Sequence, residues 1–312
     1  MNRFLSVVAF LLALVSPSAT AQSSADELLT NPAIVVTGVS PERAETFVKE
    51  IMPDGWATAS RGVPRWNTEL CISVIGPPTE QGQFIVDRIS QRAIDAGLQA
   101  GAPGCDTNLL IIVTNQPETL LPMVAKEHRA LFGFTGDANV DTGGSSSFTD
   151  FLTDNKPVRL RQVIQTVGAD GMPLDGDPEA DPFGDTQGYG GVAPPGNLPV
   201  VRADSTRLRS AVSRQLSRVV AVVDTTQTAG IGLGAISDYL AFVALADVSS
   251  EADLSDFPSI LNLFDADAQK QARMTDWDIA FLDSLYSARL NAASGTAQYR
   301  EIADRMVRDR KE

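Results

Sequence analysis

Gly230-Ile-Gly-Leu-Gly-Ala-Ile-Ser-Asp-Tyr-Leu-Ala-Phe-Val-Ala-Leu-Ala-Asp247 reads as a glycine-rich approach to a helix that is apolar on nearly every side. A helix without a polar face must be wrapped by other elements, so this stretch predicts the centre of a layered domain. On its N-terminal side, Val219-Val-Ala-Val-Val223 predicts a buried strand, which feeds into the helix through Asp224-Thr-Thr-Gln-Thr-Ala-Gly230. On its C-terminal side comes the loop Pro258-Ser-Ile-Leu-Asn-Leu-Phe264. Thr275 with Asp278 then forms a capping-box variant, and Ile279, Leu282 and Leu285 make the core stripe of the helix it opens. A last helix from Thr296 turns Ile302 and Met306 inward and ends in Arg308, Arg310 and Lys311, which complement its dipole.

Further toward the N-terminus a βαβ unit is legible. Leu70, Ile72 and Val74 alternate with Cys71, Ser73 and Ile75 as in a strand, which Gly76-Pro-Pro78 terminates. Gln83 to Leu98 is amphipathic, with Ile85, Ile89 and Ala93 on one stripe. Asn108 to Thr114 is continuously apolar at its centre, as expected of a strand covered on both faces. Two strands so connected should lie parallel. Cys71 and Cys105 are the only cysteines, one at the start of the first strand and one just before the second. Parallel neighbours bring those ends together, so a Cys71–Cys105 disulfide is predicted, worth ~3–4 kcal/mol in the chain-entropy view.

Pro117 to Leu131 predicts another helix, and the Gly/Ser/Asp-rich stretch from Gly133 to Phe148 a surface loop. Val158 to Val167 and Val200 to Val212 are rich in Arg and predict exposed edge strands. Near the start, Ala33 to Thr37 predicts a short strand. Ser40-Pro41-Glu42 then opens a helix with Ala44, Phe47, Val48 and Ile51 inward. The fold class is α/β with an α+β tendency: a mixed, twisted sheet with packed helices.

Met1-Asn-Arg3, the apolar run Phe4 to Val15 and Ala19-Thr-Ala21 have the three parts of a signal peptide over residues 1–21. The chain is therefore expected in a periplasm or secreted, which suits a disulfide. Residues 22–60 form an N-terminal segment with a small βα piece. Residues 61–312 form the main domain, with a flexible Gly/Pro/Asp-rich insertion at 168–199. A formal net charge of -14 argues against nucleic acid and anionic membrane as partners, because both repel an acidic chain at long range. Hydrophobic residues at 43% are ample for a core, so size does not force dependence on a disulfide.

The order of buried helix, Ser-Ile-Leu-Asn loop and Thr-x-x-Asp-capped helix ending in Leu285-Tyr286 resembles the C-terminal half of zincin-type metalloproteases. That resemblance implies a zinc hydrolase layout with His-Glu-x-x-His on the buried helix. Here Asp238, Tyr239 and Phe242 stand in that region, and Phe cannot ligate. The chain has a single histidine, His128, whereas catalytic zinc needs three protein ligands. Arg65-Trp66 before Leu70-Cys71, Cys105-x-x-Asn108, Asp238-Tyr239 and Ser259-Ile-Leu-Asn-Leu-Phe264 are similar to an uncharacterised family of exported alphaproteobacterial proteins. This likeness runs from about residue 61 onward and implies no activity.

Asp238 and Tyr239 are the candidate site residues, and two readings of them stand. Asp238 is a first-turn acid behind a Ser237 cap. Alternatively it is buried beside Tyr239, either as an acid/base pair with a raised carboxyl pKa or as a hydrogen-bonded anchor for the neighbouring loop. Asp141-Thr-Gly143 is the tripeptide of aspartic proteases, which need two such loops. The second Asp-Thr, Asp224-Thr225, is followed by Thr226. Gly232-x-Gly234 is read as backbone that lets helix and sheet approach closely. Asp170, Asp175, Asp177, Glu179, Asp181 and Asp185 read as a solvated acidic loop. No Gly-x-Ser-x-Gly or phosphate-cradling motif occurs.

The sequence therefore predicts an exported binding or interaction protein on a degenerate hydrolase-like scaffold, with no metal and no cofactor. Its partner would be an envelope or extracellular protein or a small ligand. The rival is a hydrolase with a non-zinc site around Asp238 and Tyr239.

Overall fold

Strand β1 (Ile72–Ile75), helix α2 (Thr79–Asp95) and strand β2 (Leu109–Thr114) form the expected βαβ unit, preceded in the chain by helix α1 (Pro41–Ile51). β1 and β2 are parallel, from Ile72 opposite Leu109 to Ile75 opposite Ile112. Like ends of the two strands therefore meet, and Cys71 and Cys105 are joined there with their Cα atoms 5.8 Å apart. Asn108 ties the same corner: its Oδ1 accepts the Cys71 N–H, and its Nδ2 donates to the Glu69 carbonyl.

The computed structural model describes residues 40–53, 62–135, 139–169, 171–172, 174, 209–249, 252–266 and 270–308. The signal peptide expected over residues 1–21, the strand expected at Ala33 to Thr37, nearly all of the 168–199 insertion with its six acidic residues, and most of the strand expected at Val200 to Val212 lie outside them. Among the described residues no helix is long and apolar enough to cross a membrane.

Among the described residues the sheet is mixed and has five strands. β4 (Val158–Gly168) and β5 (Val212–Asp224) are long, and β3 (Val140–Asp141) has two residues, giving the order β1-β2-β5-β4-β3. β5 runs parallel to β2 and antiparallel to β4, and β3 pairs antiparallel with Gln165 and Ile164 of β4. Two expectations need correction here. The buried strand at Val219 begins well earlier, at Val212. The arginines of β4 are not exposed either: Arg159 and Arg161 keep 2% of their surface, because the helix α4 (Gly144–Thr153) covers their face of the strand.

Both faces of the sheet are covered, as the apolar run in β2 requires. Leu109, Ile111, Val219, Ala221 and Val223 face α2 and α5 (Leu233–Leu245). Ile112, Val220 and Val222 face the opposite layer, built from α3 (Pro117–Glu127), the 3-10 turn Arg129–Phe132 and α4 (Gly144–Thr153). The stretch expected as a surface loop thus contains β3 and the first half of α4. Phe148 and Phe151 lie three apart on that helix and pack on Phe132, with ring centroids 5.4 and 5.7 Å away. That burial outweighs the weak helix propensity of Gly144-Ser-Ser-Ser147.

α6 (Asp276–Ser287) and α7 (Gly295–Arg308) complete the first layer with α1. The predicted cap of α1 is present, Ser40 Oγ accepting the Arg43 N–H. Its Phe47 meets Phe257 and Trp277 at centroid distances of 5.2 and 5.1 Å. The Thr275–Asp278 capping box is present as well.

α5 is buried almost throughout, yet its end has no glycine cap and no basic last turn. Side chains from elsewhere take its terminal carbonyls, which would otherwise be stranded. Gln162 Nε2 donates to Val243 and Ala246, Trp66 Nε1 to Ala244, and the Tyr286 hydroxyl to Leu245. At the other end Gly232 is the N-cap, and a Cβ added at Gly232 or Gly234 would meet nothing within 4 Å. Close helix–sheet approach is therefore not why these glycines are there.

Candidate functional site

Asp238 lies in the second turn of α5, fully buried. The first-turn reading is therefore wrong, and Ser237 does not cap the helix: its hydroxyl donates back to the Leu233 carbonyl. Five hydrogen bonds converge on the carboxylate of Asp238. Arg88 Nε and Nη2 donate to Oδ1 and Oδ2 at 2.7 and 2.8 Å, Arg92 does the same at 3.0 and 3.1 Å, and the Met274 N–H donates at 2.9 Å. Arg88 and Arg92 stand one turn apart on α2, so both forks reach one acceptor. Burial pushes the carboxyl upward, but these donors outweigh it and hold the pKa down to about 2. The raised pKa that an acid/base pair needs is absent. Asp238 clamps α2, α5 and the segment entering α6.

Tyr239 points elsewhere. Its ring sits edge-on against Phe264, 4.8 Å between centroids, and burial pushes its hydroxyl up to about 12. Among the described residues no hydrogen bond joins it to Asp238. Asp278, in the first turn of α6, is likewise structural: it accepts from Ser259 Oγ and the Ile260 N–H at 2.6 and 2.8 Å and so fastens the Ser-Ile-Leu-Asn segment to α6.

The two Asp-Thr sequences do not meet. Asp141 pairs with Ile164, past the middle of β4, whereas the Asp224 N–H bonds to the Pro157 carbonyl just before the strand begins. Seven strand residues separate those points by roughly 23 Å. Asp224 instead folds the turn after β5, accepting from Thr226 N and Oγ1. His128 ends α3 in an exposed position. Among the described residues no group of three His, Cys, Asp or Glu side chains is placed to hold a metal ion.

A cleft of about 1070 Å³ opens beside β4. One wall is α4 (Ser147, Phe151); the other is Tyr239, Val243 and Val248 at the end of α5. Between them runs the outer edge of β4. β3 covers that edge at Ile164 and Gln165, and among the described residues no strand covers it from Val158 to Val163. The bond from Asp224 N to Pro157 O sets the alternation: Arg159, Arg161 and Val163 turn their backbone groups toward β5. Val158, Leu160 and Gln162 turn theirs into the cleft.

The cleft carries both signs of charge. Arg214 Nη2 pairs with Asp141 at 2.8 Å, Arg159 Nη2 with Glu118 at 2.7 Å and Lys156 with Asp154 at 3.3 Å. Burial pushes the Asp247 carboxyl up to about 7, with Arg214 opposing and Asp141 adding to the rise. Burial also lowers the pKa of Arg161, which lies over the rings of Phe134 and Phe148, 5.7 and 5.3 Å from their centroids.

Sequence reasoning missed the two arginines on Asp238 and this strand edge. The Arg88–Arg92 spacing on α2 and the alternation Val158-Arg-Leu-Arg161 were the available signals. Comparison with protein-family models, with curated proteins and with solved structures found no match for this chain.

Proposed function

We propose that this chain is an exported binding protein that receives an extended polypeptide along the outer edge of β4. The carrying observation is the run from Val158 to Val163, covered by no strand among the described residues, which forms the floor of a walled cleft. Strand edges left bare are normally blunted by charge, proline or a covering loop. Here the N–H and C=O groups of Val158, Leu160 and Gln162 face a cavity instead, the arrangement that strand addition uses. The alternating side chains of a guest would fall against α4 on one side and Tyr239 and Val243 on the other. The Cys71–Cys105 bridge and the signal-like N-terminus support export. The order of β5, buried helix, Ser-Ile-Leu-Asn turn and capped α6 supports a zincin-like scaffold without its zinc ligands. The hydrolase alternative is weakened because both oxygens of Asp238 are already occupied.

Hydrogen exchange tests this. A linear peptide selected on the mature protein from a random display library should slow exchange at the amides of Val158, Leu160 and Gln162. It should leave Arg159 and Arg161, already bonded to β5, unchanged. Leu160→Pro removes one donor from the edge without breaking a β5 bond, and binding should drop by at least ~10-fold. A selected peptide that binds this variant equally well, or protects other amides, sinks the proposal.

A further inference from the structure

The end of the cleft beside β3 has chemistry that the rest of the groove lacks. Arg161 lines the cleft with 2% of its surface exposed. Its Nη1 donates to Ser147 Oγ at 3.2 Å, while Nε and Nη2 are buried without a hydrogen-bond partner. The ring faces of Phe134 and Phe148, over which the guanidinium lies, accept no hydrogen bond from those N–H groups. Asp141 acts on Arg161 through space, but its own oxygens are engaged by Arg214 Nη2 and the Gly143 N–H. Arg161 thus brings a positive charge that nothing on the described chain neutralises by direct contact.

The N-terminus of α4 opens at the same end. Its N-cap is Gly143, with φ 66° and no side-chain cap, followed by Gly144 at φ 80°. Both angles lie in the left-handed region that glycine reaches freely. Two residues in that conformation turn the following N–H groups outward. Gly144, Ser145 and Ser146 therefore present uncapped donors at the positive end of the helix dipole, and Ser147, exposed, keeps its hydroxyl proton available.

β3 supplies a direction. It occupies the edge of β4 at Ile164 and Gln165, so a strand added along Val158 to Val163 cannot continue past that point. We infer that the added polypeptide lies parallel to β4 and ends there, its C-terminal carboxylate held by the α4 N–H groups and the Ser147 hydroxyl, with Arg161 behind them. This rests on the polypeptide reading above. Arg161 polarises Ser147 and supplies the charge; Ser147 and the helix donors make the contact. Asp150, two turns further along α4, also lines the cleft and disfavours a guest with a second acid facing it.

Two probes separate this inference from the reading it rests on. N-acetylglycine carries the α-carboxylate alone, and N-acetylglycinamide is its neutral counterpart. In amide NMR at fixed ionic strength, N-acetylglycine should shift Gly144, Ser145 and Ser146 saturably, and the amide should not. Affinity should fall by at least ~10-fold in Ser147→Ala and in Arg161→Gln, the scale of one charge-assisted hydrogen bond. Ser147 is exposed, so its variant remains informative if Arg161→Gln does not fold. Equal shifts from acid and amide, or unchanged affinity in the folded variants, overturn the inference. So does a selected peptide whose C-terminal amide, with a glutamate placed inside it, binds as tightly as the free acid. If peptides protect β4 while N-acetylglycine leaves α4 untouched, this inference falls and the polypeptide reading stands. If N-acetylglycine binds and no peptide protects β4, the carboxylate pocket stands and the polypeptide reading falls.

Discussion

Asp238 illustrates how one buried charge becomes structural. A carboxylate removed from water is costly unless paired and hydrogen-bonded, and here two bidentate guanidinium groups and a backbone N–H do both. Taking away the charge leaves Arg92 mostly buried and unmatched, while Arg88, 36% exposed, can turn to solvent. Asp238→Asn should therefore cost about 2–3 kcal/mol at neutral pH by denaturant unfolding. The sign of its pH dependence follows from a pKa lowered from 3.8 to about 2. The clamp stabilises above 3.8 and is lost as pH falls toward 2, so native and variant stabilities should converge over that window. Asp247 has the opposite sign. Its carboxyl is raised from 3.8 to about 7, so the folded chain holds the proton more tightly than the unfolded one. Stability then declines as pH climbs from 3.8 to about 7. Asp247→Asn should raise the melting temperature at pH 8 and leave it nearly unchanged at pH 4; a variant equally shifted at both would contradict this assignment.

At the scale of elements, what was readable in the sequence was what neighbours in the chain decide. Ser40-Pro41-Glu42 opens α1 and Thr275 with Asp278 opens α6 because a cap and its helix lie within four residues of each other. The βαβ unit was equally legible, since alternation in one strand, a continuous apolar run in the next and two cysteines agree. The failures share a cause. The bonds of Arg88 and Arg92 to Asp238 span 150 and 146 residues, and no local pattern announces them. Gly143 to Ser147 reads as a loop until the sheet supplies a surface for Phe148 and Phe151. Arg159 and Arg161 read as solvent-facing until α4 lies across them. The candidate cleft inherits this difficulty, being built from β3, α4, β4 and the end of α5, which only the tertiary fold assembles.

Across the whole molecule, the disulfide closes a loop of 34 residues at one side of the sheet, while the cleft lies at the other. β1 and β2 are separated from β4 by β5, so the bridge should govern stability without shaping the cleft. Cys71→Ser with Cys105→Ser should lose ~3–4 kcal/mol, a fall in melting temperature on the order of 10 °C, with peptide affinity at 20 °C unchanged; a parallel loss of affinity would show that the two sides are coupled. The last turn of α5 has a wider consequence. Trp66, Gln162 and Tyr286 reach it from three distant parts of the chain. A polypeptide emerging from its N-terminus therefore cannot finish its centre until Tyr286 has been made. Consolidation is a late, all-at-once event, and chains cut short before that tyrosine stay open.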